Sequence, residues 1–279
     1  MPELPEAEHT RGVLQRTLAG RRIAEVEVAE DPIVYDGVPT AQVEEWLVGR
    51  EVAETHRRGK YLWLELSEAP HLIVHLGMTG TVRTRGDEPL NLESSPKHPD
   101  HSWPPRFTKL RLVTTDGDEV AYTNARRLGR LLFRGDPANE RPIAKLGFDP
   151  LTDMPGREAF AQRIGRRSRA VLKALLLDQG FSAGVGNWIA DEVLYQARID
   201  PQRRAGTLSE QEVETLRKTI RRVVLTAVKA DARKDRFPKG WLFHRRWGKK
   251  EDATTADGEP IAFVEIGGRT TAWVPGVQR

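Results

Sequence analysis

The 279-residue sequence contains no cysteine. This rules out disulfides and thiolate metal sites, and it fits a reducing, intracellular setting. No apolar run approaches the ~18 residues that a membrane span needs, so no membrane partner is expected. The N-terminus lacks the basic-then-apolar pattern of a secretory signal. There is no internal repeat and no long low-complexity segment. At this length the chain has room for two ordinary domains with well-buried cores.

What is present is unevenly distributed. The net charge is +4, yet residues 1–150 carry 20 Lys/Arg against 24 Asp/Glu, and residues 151–279 carry 24 against 16. Within 203–250 the counts are 15 and 5. Such a run is commonly a solvated helix face. Nucleic acid is the sharper reading, because phosphates reward clustered Lys and Arg through counterion release. Charge alone leaves both open.

Periodicity divides the chain. RRIAEVEVAE and YLWLELSE alternate apolar and polar residues as half-buried strands do. HLIVHLGMTGTVRTR, TKLRLVTTDGDEVAYTN and RLGRLLF follow, separated by Gly, Pro and Asp turn signals. Pro5 to Leu18 has helical spacing instead, with Val13, Leu14 and Leu18 apolar. These patterns predict one N-terminal helix on a β-sandwich, residues 1–135. After a linker over 136–153, residues 154–236 read as four helices, and Ser209 and Glu212 form a capping box at the start of the last. PIAFVE and TTAWVP flank Gly267-Gly268 as a β-hairpin within 237–279. The predicted class is α+β, multidomain. GDEPLNLESSPKHPDHSWPP (86–105) reads as a polar, Pro-rich loop, expected to be mobile.

Three places carry chemistry. Methionine before a small residue is normally trimmed, which would leave Pro2 with a free secondary amine. α-Amino groups titrate near ~7.7–8.0, so a useful fraction is a nucleophile at neutral pH. Glu3 and Glu6 lie within reach as acid–base groups. An MPE start taken alone is more often an ordinary terminus. Lys60, before a strong strand, is by itself most simply a surface lysine. His71 and His75 lack a third ligand, so packing or hydrogen bonding is the expected role. Further on, FSAGVG joins two helices. Gly184 and Gly186 would let amides approach an anion at a helix N-terminus, with Asn187 as cap. Flanking Lys173, Arg166 and Arg167 make phosphate the expected anion.

MPELPE, RRGKYLWLEL, HLGMTG, NARRLGRLLF, LLLDQGFSAGVGNWIADEVLYQARIDP and GGRTTAWVP together resemble, in order and from end to end, the formamidopyrimidine-DNA glycosylase/endonuclease VIII family. PELPE is similar to its formamidopyrimidine branch. The resemblance implies a bifunctional glycosylase and abasic-site lyase of base excision repair, a monomer on double-stranded DNA. It would work in the nucleoid of a bacterium or the nucleus of a eukaryote. Pro2 would attack C1′ of the damaged nucleotide, with Glu3 acting on the opened sugar and Glu6 as the second carboxylate. Lys60, Gly186 and Asn187 would contact phosphate. Met78, Arg126 and Leu128 would fill the gap left by the flipped nucleotide, Leu128 standing where the branch usually has phenylalanine. The cysteine-free end resembles the zincless finger of plant and fungal members, a hairpin presenting Arg269 with neither metal nor cofactor. The short connection ADARKDRFPKGW implies a reduced or absent lesion-covering loop. Formamidopyrimidines, hydantoins and abasic sites are therefore expected to be better substrates than 8-oxoguanine. Two alternatives stand beside this: a non-catalytic binder of damaged DNA, and a glycosylase preferring oxidised pyrimidines.

Overall fold

A computed structural model describes residues 2–87, 90 and 100–279. Met1 and the centre of the expected Pro-rich loop lie outside the described residues. The chain forms two compact units, Met1–Lys145 and Leu146–Arg279. The division falls inside the expected linker, and the terminal hairpin belongs to the same unit as the helices.

The first unit opens with α1 (Leu4–Leu18), whose first turn contains Pro5. A proline there removes no helix hydrogen bond, because the first amides have no partner within the helix. Ala7, Leu14 and Leu18 lie on its buried face and join the core cluster. Eight antiparallel strands follow: β1 (Arg21–Val28), β2 (Glu51–Arg58), β3 (Tyr61–Leu66), β4 (His71–His75), β5 (Thr81–Thr84), β6 (Thr108–Thr114), β7 (Glu119–Thr123) and β8 (Arg130–Arg134). Their order is β5-β7-β6-β1-β2-β3-β4-β8. β1 serves both halves. Arg21 and Arg22 pair with β2, and from Ile23 onward the strand pairs with β6 across a register shift. The inward residues of both halves meet in one core, with Leu62 and Leu64 of β3 packed in the same cluster as Leu110 and Leu112 of β6. Burying each such leucine contributes about 1.5–3 kcal/mol.

The sequence predicts one helix in this unit, and its described residues form two α-helices. α2 (Thr40–Leu47) follows Pro39 and buries only Val43 and Leu47. Two apolar positions over eight residues are too few to stand out as a period.

The second unit contains α3 (Arg157–Arg166), α4 (Leu172–Leu177), α5 (Asn187–Ala197) and α6 (Glu210–Lys229), followed by β9 (Ala262–Ile266) and β10 (Arg269–Trp273). The capping box on α6 forms as expected, with the Ser209 side chain accepting from the Glu212 amide. The hairpin turns on Gly267 and Gly268 at φ 60° and 69°. Consecutive left-handed residues match the twist of a two-residue turn, and glycine adopts them without steric cost. Among the described residues, no helix is long and apolar enough to cross a membrane.

Candidate active site and nucleic-acid interface

In the first unit, Pro2 is buried immediately before α1. Glu3 is its N-cap residue, with Glu6 completing a capping box. The Glu6 carboxylate accepts from the Glu3 amide at 2.9 Å. Both acids are withdrawn from water, at 2% and 6% exposure. Burial, reinforced by the neighbouring Glu3 charge, pushes the Glu6 carboxyl up to about 7. A carboxyl titrating there can hold or release a proton at neutral pH.

Glu8 has a different task. It accepts from Arg57 Nε at 2.8 Å and from Arg11 Nε at 2.9 Å. The Arg57 side chain is almost wholly buried, and its Nη1 donates to the Gly59 carbonyl at 2.9 Å. This half-buried ion pair ties α1 to the β2–β3 turn that carries half-buried Lys60. Behind that turn, His75 stacks on Tyr61 with ring centroids 4.5 Å apart. Burial, helped by the charges of Lys60 and Arg130, lowers His75 to about 4 and keeps it neutral. His71 Nδ1 accepts from the Leu66 amide at 3.1 Å. His75 thus serves packing and His71 hydrogen bonding.

Met78 and the pair Arg126–Leu128 occupy two loops that interlock. A Cβ on Gly77 would sit 2.4 Å from the Leu128 carbonyl carbon, and one on Gly129 would sit 2.0 Å from both Asn124 Nδ2 and Tyr122 Oη. Only glycine permits this approach. Asn124 binds the second loop from beneath: its Oδ1 accepts from the Leu128 amide at 3.2 Å and its Nδ2 donates to Tyr122 Oη at 2.6 Å. Arg127, at φ 55°, anchors the same loop to Asp31 through Nε at 3.0 Å and Nη2 at 2.9 Å. Burial would raise the Asp31 carboxyl, yet hydrogen bonds from Lys109 and Arg127 bring it down to about 2. Arg126 and Leu128 are left exposed, Leu128 by 43%.

In the second unit, the turn between α4 and α5 is held from within by Gln179. Its Nε2 donates to the Leu177 and Val185 carbonyls at 2.9 and 2.8 Å, and its Oε1 accepts from the Gly184 amide at 3.0 Å. Gly184 takes φ 93°, where a side chain would be strained. Gly186, rather than Asn187, is the N-cap residue of α5. Asn187 is the first helical residue, and its Nδ2 donates to the Thr270 carbonyl of the hairpin at 2.9 Å.

Lys173 requires a correction. Its side chain is fully buried, its ammonium paired with Asp191 and donating to the Asn187 carbonyl at 2.9 Å. A lysine so enclosed supports the turn from inside and does not reach a phosphate. Arg166 and Arg167 are exposed instead, and Arg167 pairs with Asp178 at the start of the turn at 3.6 Å. Asp191 went unnoticed in the sequence. Fully buried, its Oδ2 also accepts from Arg246 Nε and Nη2 at 2.9 and 2.6 Å and from the Ala272 amide at 3.1 Å. One carboxylate therefore joins α4, α5, the segment after α6 and β10. In the same unit Trp188, Phe237, Trp241 and Phe243 pack against one another. Arg269 stands exposed at the hairpin turn. Among the described residues, the one His/Asp/Glu group able to hold a metal is Glu54, His56 and Glu65 in the first unit.

These features define a class: a helix-led antiparallel sheet unit followed by a helix–two-turn–helix unit with a terminal hairpin. Residues 1–131 match the formamidopyrimidine-DNA glycosylase N-terminal domain, and residues 146–238 match the formamidopyrimidine-DNA glycosylase H2TH domain. The chain belongs to the formamidopyrimidine-DNA glycosylase family. A formamidopyrimidine-DNA glycosylase of Arabidopsis thaliana is 37% identical over 279 residues, covering 100% of this chain and 71% of the relative. One from Thermus thermophilus is 34% identical over 290 residues, covering 100% and 98%. The structure of a Lactococcus lactis family member bound to Fapy-dG-containing DNA superimposes with a TM-score of 0.81 at 25% identity, covering 100% of both chains.

Proposed function

We propose that the chain is a DNA glycosylase of base excision repair with abasic-site lyase activity, its nucleophile the amine of Pro2. The observation that carries this reading is the pair of buried carboxyls directly after Pro2, one of them titrating at about 7. With Met1 removed, the Pro2 nitrogen lone pair bonds to C1′ as the bond from C1′ to the base breaks and the base leaves with a proton. Opening of the sugar gives an iminium ion, an electron sink that favours loss of the 3′ phosphate and then the 5′ phosphate. A one-nucleotide gap results. Glu3 moves protons on the opened sugar, and Glu6 is the second carboxyl of the pair. Lys60, Gly186, Asn187 and Arg269 hold phosphates, and Met78, Arg126 and Leu128 fill the space of the extruded nucleotide. The enzyme acts as a monomer, wherever the genome is kept.

The preferred lesions are formamidopyrimidines, hydantoins and abasic sites. Supporting this, Ala232, Phe237 and Trp241 are buried in the connection after α6, which leaves that segment little free length to close over a base. Excision measured across a panel of defined lesions tests the assignment. Release of formamidopyrimidine faster than 8-oxoguanine is expected. Faster release of 8-oxoguanine would remove the lesion ranking, and faster release of oxidised pyrimidines would place the chain's specificity with the endonuclease VIII branch.

A further inference from the structure

Among the described residues, Phe107 is the most exposed of the large apolar side chains, at 54%, and it has no place in the scheme above. It lies in the turn leading into β6 with φ 61°. A bulky aromatic residue in left-handed backbone is an outlier, and it persists only where its surroundings enforce it. Here they do. The Asn124 amide donates to the Phe107 carbonyl at 3.1 Å, and Thr108 Oγ1 donates to the Pro105 carbonyl at 2.6 Å. The Arg106 amide donates to Asp100 Oδ2 at 2.7 Å, and Arg83 Nη1 holds the Asp100 carbonyl at 2.6 Å. Asn124 is the same residue whose side chain fixes the Leu128 amide. A single asparagine thus sets both the loop bearing Leu128 and the turn bearing Phe107. The Arg106 guanidinium lies over the Phe107 ring, 5.1 Å from its centroid, so a cation and an open aromatic face are presented together.

We propose that Phe107 stacks on the base left without a partner when the lesion is extruded, while Arg106 engages a phosphate of that undamaged strand. Resting on the gap-filling role given to Leu128 above, this names the element that reads the opposite strand. Leu128 can part bases but offers no ring to stack on. Phe107, held in register with it, supplies one. Aromatic side chains bind bases through their faces with little demand on base identity, so Phe107 raises affinity for gapped DNA across all four opposite bases.

The test uses the full chain and a duplex carrying tetrahydrofuran, a stable abasic analogue, with 2-aminopurine opposite it. Stacking on an aromatic ring quenches that fluorophore. Three variants are compared: Phe107→Leu removes the ring but keeps apolar bulk, Phe107→Asn removes it while tolerating left-handed backbone, and Phe107→Tyr keeps the ring. Wild type and Phe107→Tyr should quench alike. The Leu and Asn variants should lose quenching and bind this duplex about 5- to 100-fold more weakly. Adding Leu128→Phe to Phe107→Leu should restore much of the loss. Unchanged quenching and affinity in both the Leu and Asn variants would overturn the proposal, as would wild-type protein that does not prefer this duplex to undamaged DNA. Borohydride trapping of wild type on a true abasic site is read in parallel. Trapping with no Phe107 effect removes this proposal alone, whereas a Phe107 effect without trapping upholds the stacking and removes the catalytic reading.

Discussion

Glu3 and Glu6 at the start of α1 and Asp191 within α5 are all acids removed from water, and they are handled in opposite ways. Asp191 faces two cations, Lys173 and Arg246, together with a backbone amide. Its charge is neutralised on the spot, and the result is a joint between segments. Glu6 faces another carboxylate, and burial with that neighbour raises it to about 7. A buried acid beside cations is scaffold, whereas a buried acid beside a like charge is poised to move protons. Glu192 shows that a raised pKa alone is insufficient. Burial also brings it to about 7, yet its oxygens accept from Gln196 at 2.7 Å and from the amide of Phe243, 51 residues away, at 2.8 Å. It therefore joins distant segments, whereas the Glu6 hydrogen bond to the Glu3 amide stays within one helix cap.

The contrast can be broken by substitution. Glu3→Gln should lower base excision by about 100- to 10,000-fold without lowering the thermal midpoint, measured by single-turnover kinetics and calorimetry. A variant that is both active and less stable would make Glu3 structural. Asp191→Ala should cost about 3–5 kcal/mol in denaturant unfolding, because Lys173 and Arg246 then remain buried without a counter-charge. Proteolysis should follow, first around the hairpin.

The pH dependence of Glu6 sharpens the comparison further. Its folded pKa of about 7 lies above the ordinary glutamate value of 4.5, so the folded state binds more protons between those values. The stability it contributes is fully present below about 4.5 and is lost as pH rises through about 7. Glu192 titrates over the same window, so the measurement is a difference. At pH 8, Glu6→Gln should exceed wild type by up to about 3 kcal/mol, and the gap should close towards pH 4.5. A pH-independent gap would show that Glu6 does not carry the proton. The smallest effect belongs to a site outside both groups: Ser209→Ala should cost only about 1 kcal/mol through the lost α6 cap.

Much of this was readable in the chain. The strands of the first unit, the helices of the second and the Gly267-Gly268 hairpin follow from apolar spacing and turn residues, because each is a local pattern. The glutamates after Pro2 were also visible as candidates, being adjacent in sequence. What escaped was long-range. Lys173 sits among basic residues and reads as a surface cation, and only the fold brings Asp191 against it, 18 residues on. Asp191 in turn lies within an ordinary amphipathic helix, with its partner Arg246 55 residues away. α2 was missed because eight residues carry too little period. Gly77 and Gly129 are turn glycines in the sequence, and only the structure shows Gly77 pressed against Leu128 and Gly129 against Asn124, Tyr122 and the His75 carbonyl.

The proposed catalysis depends above all on Pro2. Full-length protein incubated with an abasic-site duplex and borohydride should become covalently fixed to DNA, with the adduct mapping to the Pro2 nitrogen. Pro2→Glu, which retains the initiator methionine and offers no secondary amine, should not be trapped. Wild type that escapes trapping, or a Pro2→Glu variant trapped as efficiently as wild type, would contradict it.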